Sequence, residues 1–101
     1  MKDLQLKNIE NLISMVLNEG DKQVRKWGVQ DRSPFEWLTF ATEELGELAC
    51  AISEYEYRNG LQSEVVKEAI QTATLCLKIA EMYLALPTTE LRPDRPAFKG
   101  E

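Results

Sequence analysis

Residues 65–84 constrain the fold most, because their apolar side chains lie on more than one side of a helix. The apolar members are Val65, Val66, Ala69, Ile70, Ala73, Leu75, Cys76, Leu77, Ile79, Ala80, Met82, Tyr83 and Leu84. A helix that is apolar nearly all round is normally buried. A chain of 101 residues cannot surround such a helix with its own remaining segments. The pattern therefore predicts that further subunits cover it, in a homodimer or a homotetramer.

The rest of the chain also has helical periodicity. A first helix is predicted at about residues 4–26, where apolar residues recur at the i, i+3, i+4, i+7 spacing of one helix face. The helix that contains residues 65–84 is predicted from Ser63 to about residue 86, because Pro87 would end it. There is no strand pattern and no internal repeat. The predicted fold class is all-α, a helical bundle of three main helices per chain that is completed by oligomerisation.

The start of the second helix is the most sharply defined boundary in the sequence. Ser33 and Glu36 match a capping box, in which each side chain bonds the backbone N–H of the other, and Pro34 occupies the first helical position. The helix is predicted to run from Pro34 to about Tyr57, before the sequence Arg-Asn-Gly at 58–60. Residues 1–86 are thus interpreted as one domain. The proline-rich residues 87–101 are predicted to form an extended or disordered tail.

The composition excludes several classes of function. Seventeen acidic and twelve basic residues give a net charge of −5, and there is no histidine. Serine and cysteine catalysis that depends on histidine is therefore excluded, as is zinc held by histidine. The acidic balance argues against nucleic-acid binding. Without a signal peptide or a run of ~20 apolar residues, the chain is predicted to be cytoplasmic and not membrane-bound. Cys50 and Cys76 are predicted to be buried and reduced.

The second helix contains six glutamates and neither lysine nor arginine. Glu44 and Glu47 are three residues apart, so they project from the same side, next to apolar neighbours. Glu68 and Gln71 have the same spacing on the third helix, and a short hairpin would bring the two pairs level. Oxygen ligands favour Mg²⁺ or Mn²⁺ over zinc or copper. The alternative interpretation of these acids is a solvated helix face.

Three segments together resemble a known family. They are Lys-Trp-Gly-Val-Gln at 26–30, Ser-Pro-Phe-Glu-Trp-Leu at 33–38 and Glu-Glu-Leu-Gly-Glu-Leu at 43–48. This combination resembles the MazG-like nucleotide pyrophosphohydrolases of the all-α NTP pyrophosphatase superfamily, over roughly residues 20–84. The hallmark of that superfamily is E-E-x-x-E on one helix and E-x-x-D on the next.

The resemblance implies an activity and a set of site residues. The activity is Mg²⁺-dependent hydrolysis of nucleoside triphosphates to monophosphate and pyrophosphate, a housecleaning of the nucleotide pool. The implied metal ligands are Glu44, Glu47, Glu68 and Gln71, with glutamine where the family pattern has aspartate. Because histidine is lacking, Glu43 or Glu47 would orient or deprotonate the attacking water. Glu43 alternatively supports the helix or the metal ligands. The alternative functions are a catalytically weakened family member and a helical oligomerisation module.

Candidate substrate-binding residues lie at the end of the first helix and at the start of the third. Lys22, Arg25 and Lys26 form a basic turn next to Trp27, which would hold the triphosphate and place an aromatic ring against the base. The alternative is that these cations favour the C-terminal helix dipole and that Trp27 is part of the core. Lys67 would reach a phosphate or lie on the surface. Trp37 is predicted to belong to the core.

Overall fold

In the computed structural model, residues 1–87 are described, and they form three α-helices joined by short connections. The helices are α1 (Ile9–Trp27), α2 (Pro34–Tyr57) and α3 (Gln62–Leu84). No strand occurs in this part of the chain, so the all-α prediction is confirmed. The predicted tail at 87–101 lies outside the described residues, apart from Pro87 at its start. None of the three helices is long and apolar enough to cross a membrane.

The first helix begins later than its apolar pattern predicts, at Ile9 instead of about residue 4. Gln5 and Leu6 adopt left-handed backbone conformations with φ of 54° and 56°, which an α-helix does not tolerate. The side chain of Asp3 accepts a hydrogen bond from the backbone N–H of Gln5 at 2.8 Å. This local bond stabilises a turn in place of the first helical turn, as Asp side chains commonly do.

The boundaries of α2 agree with the prediction because local capping fixes both ends. The N–H of Glu36 donates to Ser33 Oγ at 3.2 Å, and the N–H of Ser33 donates to Glu36 Oε1 at 3.0 Å. At the other end, Asn59 is left-handed and the N–H of Gly60 donates to the carbonyl of Glu54. A Cβ at position 60 would lie 2.8 Å from the backbone of Glu54, so this tight hairpin requires glycine.

The third helix is the centre of the packing, since α1 and α2 each pack against α3 and not against each other. Trp37 and Ala41 of α2 are buried against Leu75 of α3, with Phe40 and Ile79 packed around them. Trp37 and Phe40 meet edge to face, with ring centroids 6.0 Å apart. The prediction that Trp37 belongs to the core is confirmed. The four-residue connection at 58–61 makes α2 and α3 an antiparallel hairpin.

A single chain leaves much of its apolar surface exposed, including most of α3. Only Thr74 and Leu75 of α3 are buried, and α1 has no buried residue. Cys50 and Cys76 are exposed, so their predicted burial is wrong for the single chain. The physical reason is that α3 has two helical neighbours within residues 1–87, which cover only part of its circumference. The covering of the remainder by further subunits stays a prediction.

Candidate metal and anion site

Three carboxylates converge where α2 faces α3. Glu44, Glu47 and Glu68 each offer an oxygen, and these oxygens lie within 4.8 Å of one another. Glu44 and Glu68 are half-buried, whereas Glu47 is exposed. The antiparallel hairpin produces this convergence, because the middle of α2 lies level with the first half of α3. These three acids therefore lie together where the two helices meet, with Glu47 open to solvent, and the other glutamates of α2 lie outside this carboxylate cluster.

Gln71 completes this carboxylate cluster from the next turn of α3. With its amide nitrogen turned toward the acids, Gln71 donates to Glu68 Oε2 and to Glu44 Oε2, both at 2.9 Å. The opposite amide orientation would place an oxygen against the same two carboxylate oxygens, and such a contact requires a cation or protons between them. The side chain thus fits the cluster in two ways. Its nitrogen bridges the acids without a cation, and its oxygen would be available as a ligand if a cation were bound.

Glu44 is the electrostatically perturbed member of the cluster. Its pKa is raised from 4.5 to about 7 by burial, by its hydrogen bond with Glu68, and by the negative charges of Glu47 and Glu68. At neutral pH, a large fraction of the Glu44 carboxyl is therefore protonated in the absence of a cation. A divalent cation would favour the ionised form, because its charge reverses the sign of the local potential.

The donor set fits a hard divalent cation. Three carboxylates and one amide oxygen match the ligands of Mg²⁺ and Mn²⁺, and the cluster contains no nitrogen or sulfur ligand of the kind that zinc prefers. Among the predicted ligands, Glu44, Glu47 and Glu68 are brought together and Gln71 contacts two of them. Glu43, the other predicted catalytic residue, lies outside this cluster.

A cavity of about 630 Å³ adjoins the carboxylate cluster, between α1, the connection at 28–33, α2 and α3. Glu43, Glu44 and Gln71 form one part of its wall, and Trp37, Phe40 and Leu75 supply apolar surface. Trp27 lines the cavity with 62% of its surface exposed, so the alternative that it is part of the core is wrong for the single chain. The cavity is large enough to hold a small organic ligand.

The lining of the cavity is net basic, although the chain as a whole is acidic. Five basic side chains face three acidic ones, and the basic set is Lys22, Lys26, Arg32, Lys67 and Lys78. Arg32 forms an ion pair with Glu36 at 3.5 Å, and Lys67 approaches Glu64 at 3.8 Å. The ammonium of Lys26 lies 4.9 Å from the centroid of the Trp27 ring. This concentration of positive charge beside carboxylates favours an anionic ligand accompanied by a cation.

The placement of the predicted substrate-binding residues is mixed. Lys22, Lys26, Trp27 and Lys67 line the cavity, whereas Arg25 does not. Arg25 lies about 60° around the helix from Lys22, which is at the edge of the wall formed by α1, and its side chain falls outside the cavity.

Several residues of the cavity wall were not expected from the sequence, and two of them bond each other. They are Lys78 and Gln23, whose side chains bond each other across α1 and α3 at 2.7 Å. A signal for Lys78 was present: it is the only basic residue between positions 68 and 84, in an otherwise largely apolar segment. The signal for Gln23 was weaker, since a glutamine on a helix surface is common.

The chain matches no protein-family model, no curated protein and no solved structure.

The raised pKa of Glu44 predicts a specific dependence of stability on pH. The folded state binds the proton more tightly than the unfolded state, so stability from this group is complete below pH 4.5 and is lost as the pH rises through about 7. Glu44→Gln removes this loss. We expect the variant without metal to exceed the native protein by about 1 kcal/mol at pH 8, a value reduced for solvent screening, and to show little gain at pH 4.5.

Thermal unfolding at a series of pH values, with a chelator present, measures this difference. Glu43→Gln is the matched control, because Glu43 is the adjacent residue but lies outside the carboxylate cluster. A gain for Glu44→Gln that is independent of pH would contradict the assignment, as would an equal gain for Glu43→Gln.

Proposed function

We propose that this protein is a Mg²⁺-dependent nucleoside triphosphate pyrophosphohydrolase that releases pyrophosphate and a nucleoside monophosphate. The observation that carries the proposal is that the carboxylate cluster lies beside a cavity with a net basic lining. A nucleoside triphosphate bound to Mg²⁺ presents both charges that such a site would recognise. The resemblance of roughly residues 20–84 to the MazG-like enzymes supports the same activity, because Glu44, Glu47 and Glu68 match the family motif, from which Gln71 departs.

In this proposal Glu44, Glu47, Glu68 and Gln71 hold Mg²⁺, and Mn²⁺ would fit the same donors. When bound, the metal supplies neutralisation of phosphate charge and polarisation of a water molecule. The remaining steps of the reaction are carried out by side chains of the protein. Glu47 is exposed and belongs to the cluster, and it can accept a proton from an attacking water at its free carboxylate oxygen.

Side chains of the cavity wall bind the phosphates and the base of the proposed substrate. Lys22, Lys26 and Lys67 bind phosphate oxygens through their ammonium groups, which act as mobile point charges. The exposed ring of Trp27 stacks on the base, in agreement with its place in the wall. Glu43 also lines the cavity and is the second candidate for orienting the water. Arg25 has no role in this proposal, because it does not line the cavity.

Gln71 favours a second candidate function, that of a weakened enzyme. The amide supplies no charge where the family pattern has aspartate, so the site holds a cation with one negative charge fewer. Its two hydrogen bonds also satisfy Glu44 and Glu68 without any metal. Both effects lower metal affinity relative to a site with four carboxylates.

We also propose that the active form is a homodimer or homotetramer in the cytoplasm. Leu38, Leu45 and Ile52 recur every seven residues along α2, and 53%, 55% and 45% of their surfaces are exposed. A stripe with this spacing is typical of a helix that packs along a second helix. If this stripe associates without any catalytic activity, the chain is a helical oligomerisation module instead.

The proposed reaction predicts that hydrolysis depends on the carboxylate cluster. We expect the double substitution Glu44→Gln with Glu47→Gln to lower the rate of pyrophosphate release by roughly a hundredfold or more, because two of the metal ligands lose their charge. Millimolar Mg²⁺ should raise the unfolding midpoint of the native protein and not that of the variant, since a ligand stabilises only the state that binds it.

A screen of canonical, deoxy and modified triphosphates with Mg²⁺ measures this rate, with product analysis that separates pyrophosphate from orthophosphate. Glu56→Gln serves as the control, because Glu56 lies on α2 away from the cluster and the cavity. Orthophosphate as the sole product would overturn the proposed bond cleavage. A midpoint insensitive to metal, without hydrolysis, would favour the oligomerisation module.

Restoring aspartate at position 71 is predicted to change metal binding and stability in opposite directions. Gln71→Asp adds a fourth negative charge and removes the two amide hydrogen bonds to Glu44 and Glu68. We expect tighter Mg²⁺ binding by roughly tenfold and lower stability without metal by about 1–2 kcal/mol. Calorimetric titration with Mg²⁺ and unfolding in a chelator measure the two effects. Gln71→Asn is the neutral control, and weaker Mg²⁺ binding by the aspartate variant would contradict the role assigned to Gln71.

The exposed stripe on α2 predicts the state of assembly. We expect sedimentation at micromolar concentration to show a dimer or tetramer for the native chain and dissociation for Leu45→Glu, because a charge buried in the interface is costly. Leu6→Glu is the matched control, since Leu6 is 68% exposed and lies before α1. A compact, folded native monomer would refute the proposed assembly.

A further inference from the structure

We propose that Lys78 is an anion-binding residue of the cavity and that Gln23 and Glu19 are its positioning residues. The ligand class is a polyphosphate, and the inference rests on the proposed function only in taking the nucleoside triphosphate as its natural source. None of these three residues carries the family motif or belongs to the carboxylate cluster.

The geometry consists of a chain of two hydrogen bonds that joins α1 to α3. Lys78 Nζ donates to Gln23 Oε1 at 2.7 Å, and Gln23 Nε2 donates to Glu19 Oε2 at 2.9 Å. All three side chains line the cavity and are half-buried. Because Glu19 accepts from the amide nitrogen, the amide oxygen of Gln23 is turned toward Lys78. The position of the ammonium is therefore set by two other side chains rather than left to solvent.

The amide between the two charges keeps the ammonium charge available. A direct pair with a carboxylate would neutralise it, and no carboxylate lies within 4.0 Å of Lys78 Nζ in residues 1–87. An ammonium has three donors, of which Gln23 takes one. Two N–H donors of a half-buried cation thus remain for an acceptor in the cavity, and phosphate oxygens are strong acceptors for such donors.

The position of Lys78 along α3 places this charge on the cavity wall that leads from the carboxylate cluster. Lys78 follows Gln71 by seven residues, which is about 10 Å along the helix and close to two full turns, so both occupy one face. Helical side chains slope toward the N-terminus, which brings the ammonium of Lys78 back toward Gln71. Lys78 therefore adds to Lys22 and Lys26 a positive group from the opposite wall, and the three can hold an extended anion from two sides.

The test is the binding of inorganic tripolyphosphate, measured by calorimetry in a chelator so that neither metal nor turnover is needed. We expect Lys78→Met to weaken binding roughly ten- to hundredfold, since a hydrogen bond to a charged group is lost. Lys78→Arg should retain most of the affinity. Gln23→Leu should weaken binding by a smaller factor, and its effect should largely disappear when Lys78→Met is already present, because Gln23 acts through Lys78.

The controls separate this role from a structural one and from the proposed enzyme. Arg25→Met removes a cation from the same helix as Gln23 but outside the cavity, and it should leave binding unchanged. Unchanged binding by Lys78→Met, or an equal loss for Arg25→Met, would overturn the inference, even if the native protein hydrolyses triphosphates. Conversely, a selective loss with Lys78→Met in a protein that hydrolyses none would support the inference while refuting the proposed function. If a nucleoside without phosphate binds and responds to Lys78→Met while tripolyphosphate does not, the ligand class is wrong.

Discussion

The apposition of α2 and α3 is the constraint on which the rest of the structure depends. Trp37 and Ala41 pack against Leu75, and the tight turn at Gly60 returns the chain so that α3 runs back along α2. This packing determines which side chains share a level, and it brings three carboxylates within 4.8 Å of one another. Such convergence is unfavourable for the bare chain, as the raised pKa of Glu44 indicates. The packing of these apolar side chains therefore holds the three carboxylates close enough to repel one another, and a cation would reduce that repulsion.

The outcome at Gln71 shows how one amide changes the character of this cluster. A fourth carboxylate at this position would increase the repulsion among the acids, whereas the amide bonds two of them at 2.9 Å. The amide thereby stabilises the folded state without a cation. The same interaction reduces the free energy gained when a cation binds. Stability of the fold without a metal and affinity for the metal are thus opposed here. This opposition is the physical difference between the two functions that we propose, a full and a weakened enzyme.

Local signals predicted the parts of the fold that depend on local interactions. The capping box at Ser33 and Glu36 placed the start of α2, and the i, i+3 spacing of the glutamates and Gln71 predicted their meeting across the hairpin. The start of α1 was missed because an Asp3 turn replaces its first turn. Lys78 was missed because its partner is 55 residues away, and periodicity carries no information about how α1 lies against α3. Burial of Cys50 and Cys76 was wrongly predicted because apolar neighbours in sequence do not imply cover in space.

Two glutamines of the cavity wall, Gln23 and Gln71, each form hydrogen bonds to two charged side chains. Gln71 donates to carboxylates, and Gln23 accepts from the ammonium of Lys78 while donating to Glu19. Each amide orients charged groups by hydrogen bonds without cancelling their charge, which a direct ion pair would do. The acidic and basic parts of one cavity can then coexist at short range without forming direct ion pairs with each other. A ligand that matches both parts carries a cation at one end of an anion, as a metal-bound polyphosphate does. The carboxylate cluster and the basic wall of the cavity are therefore best understood as one site.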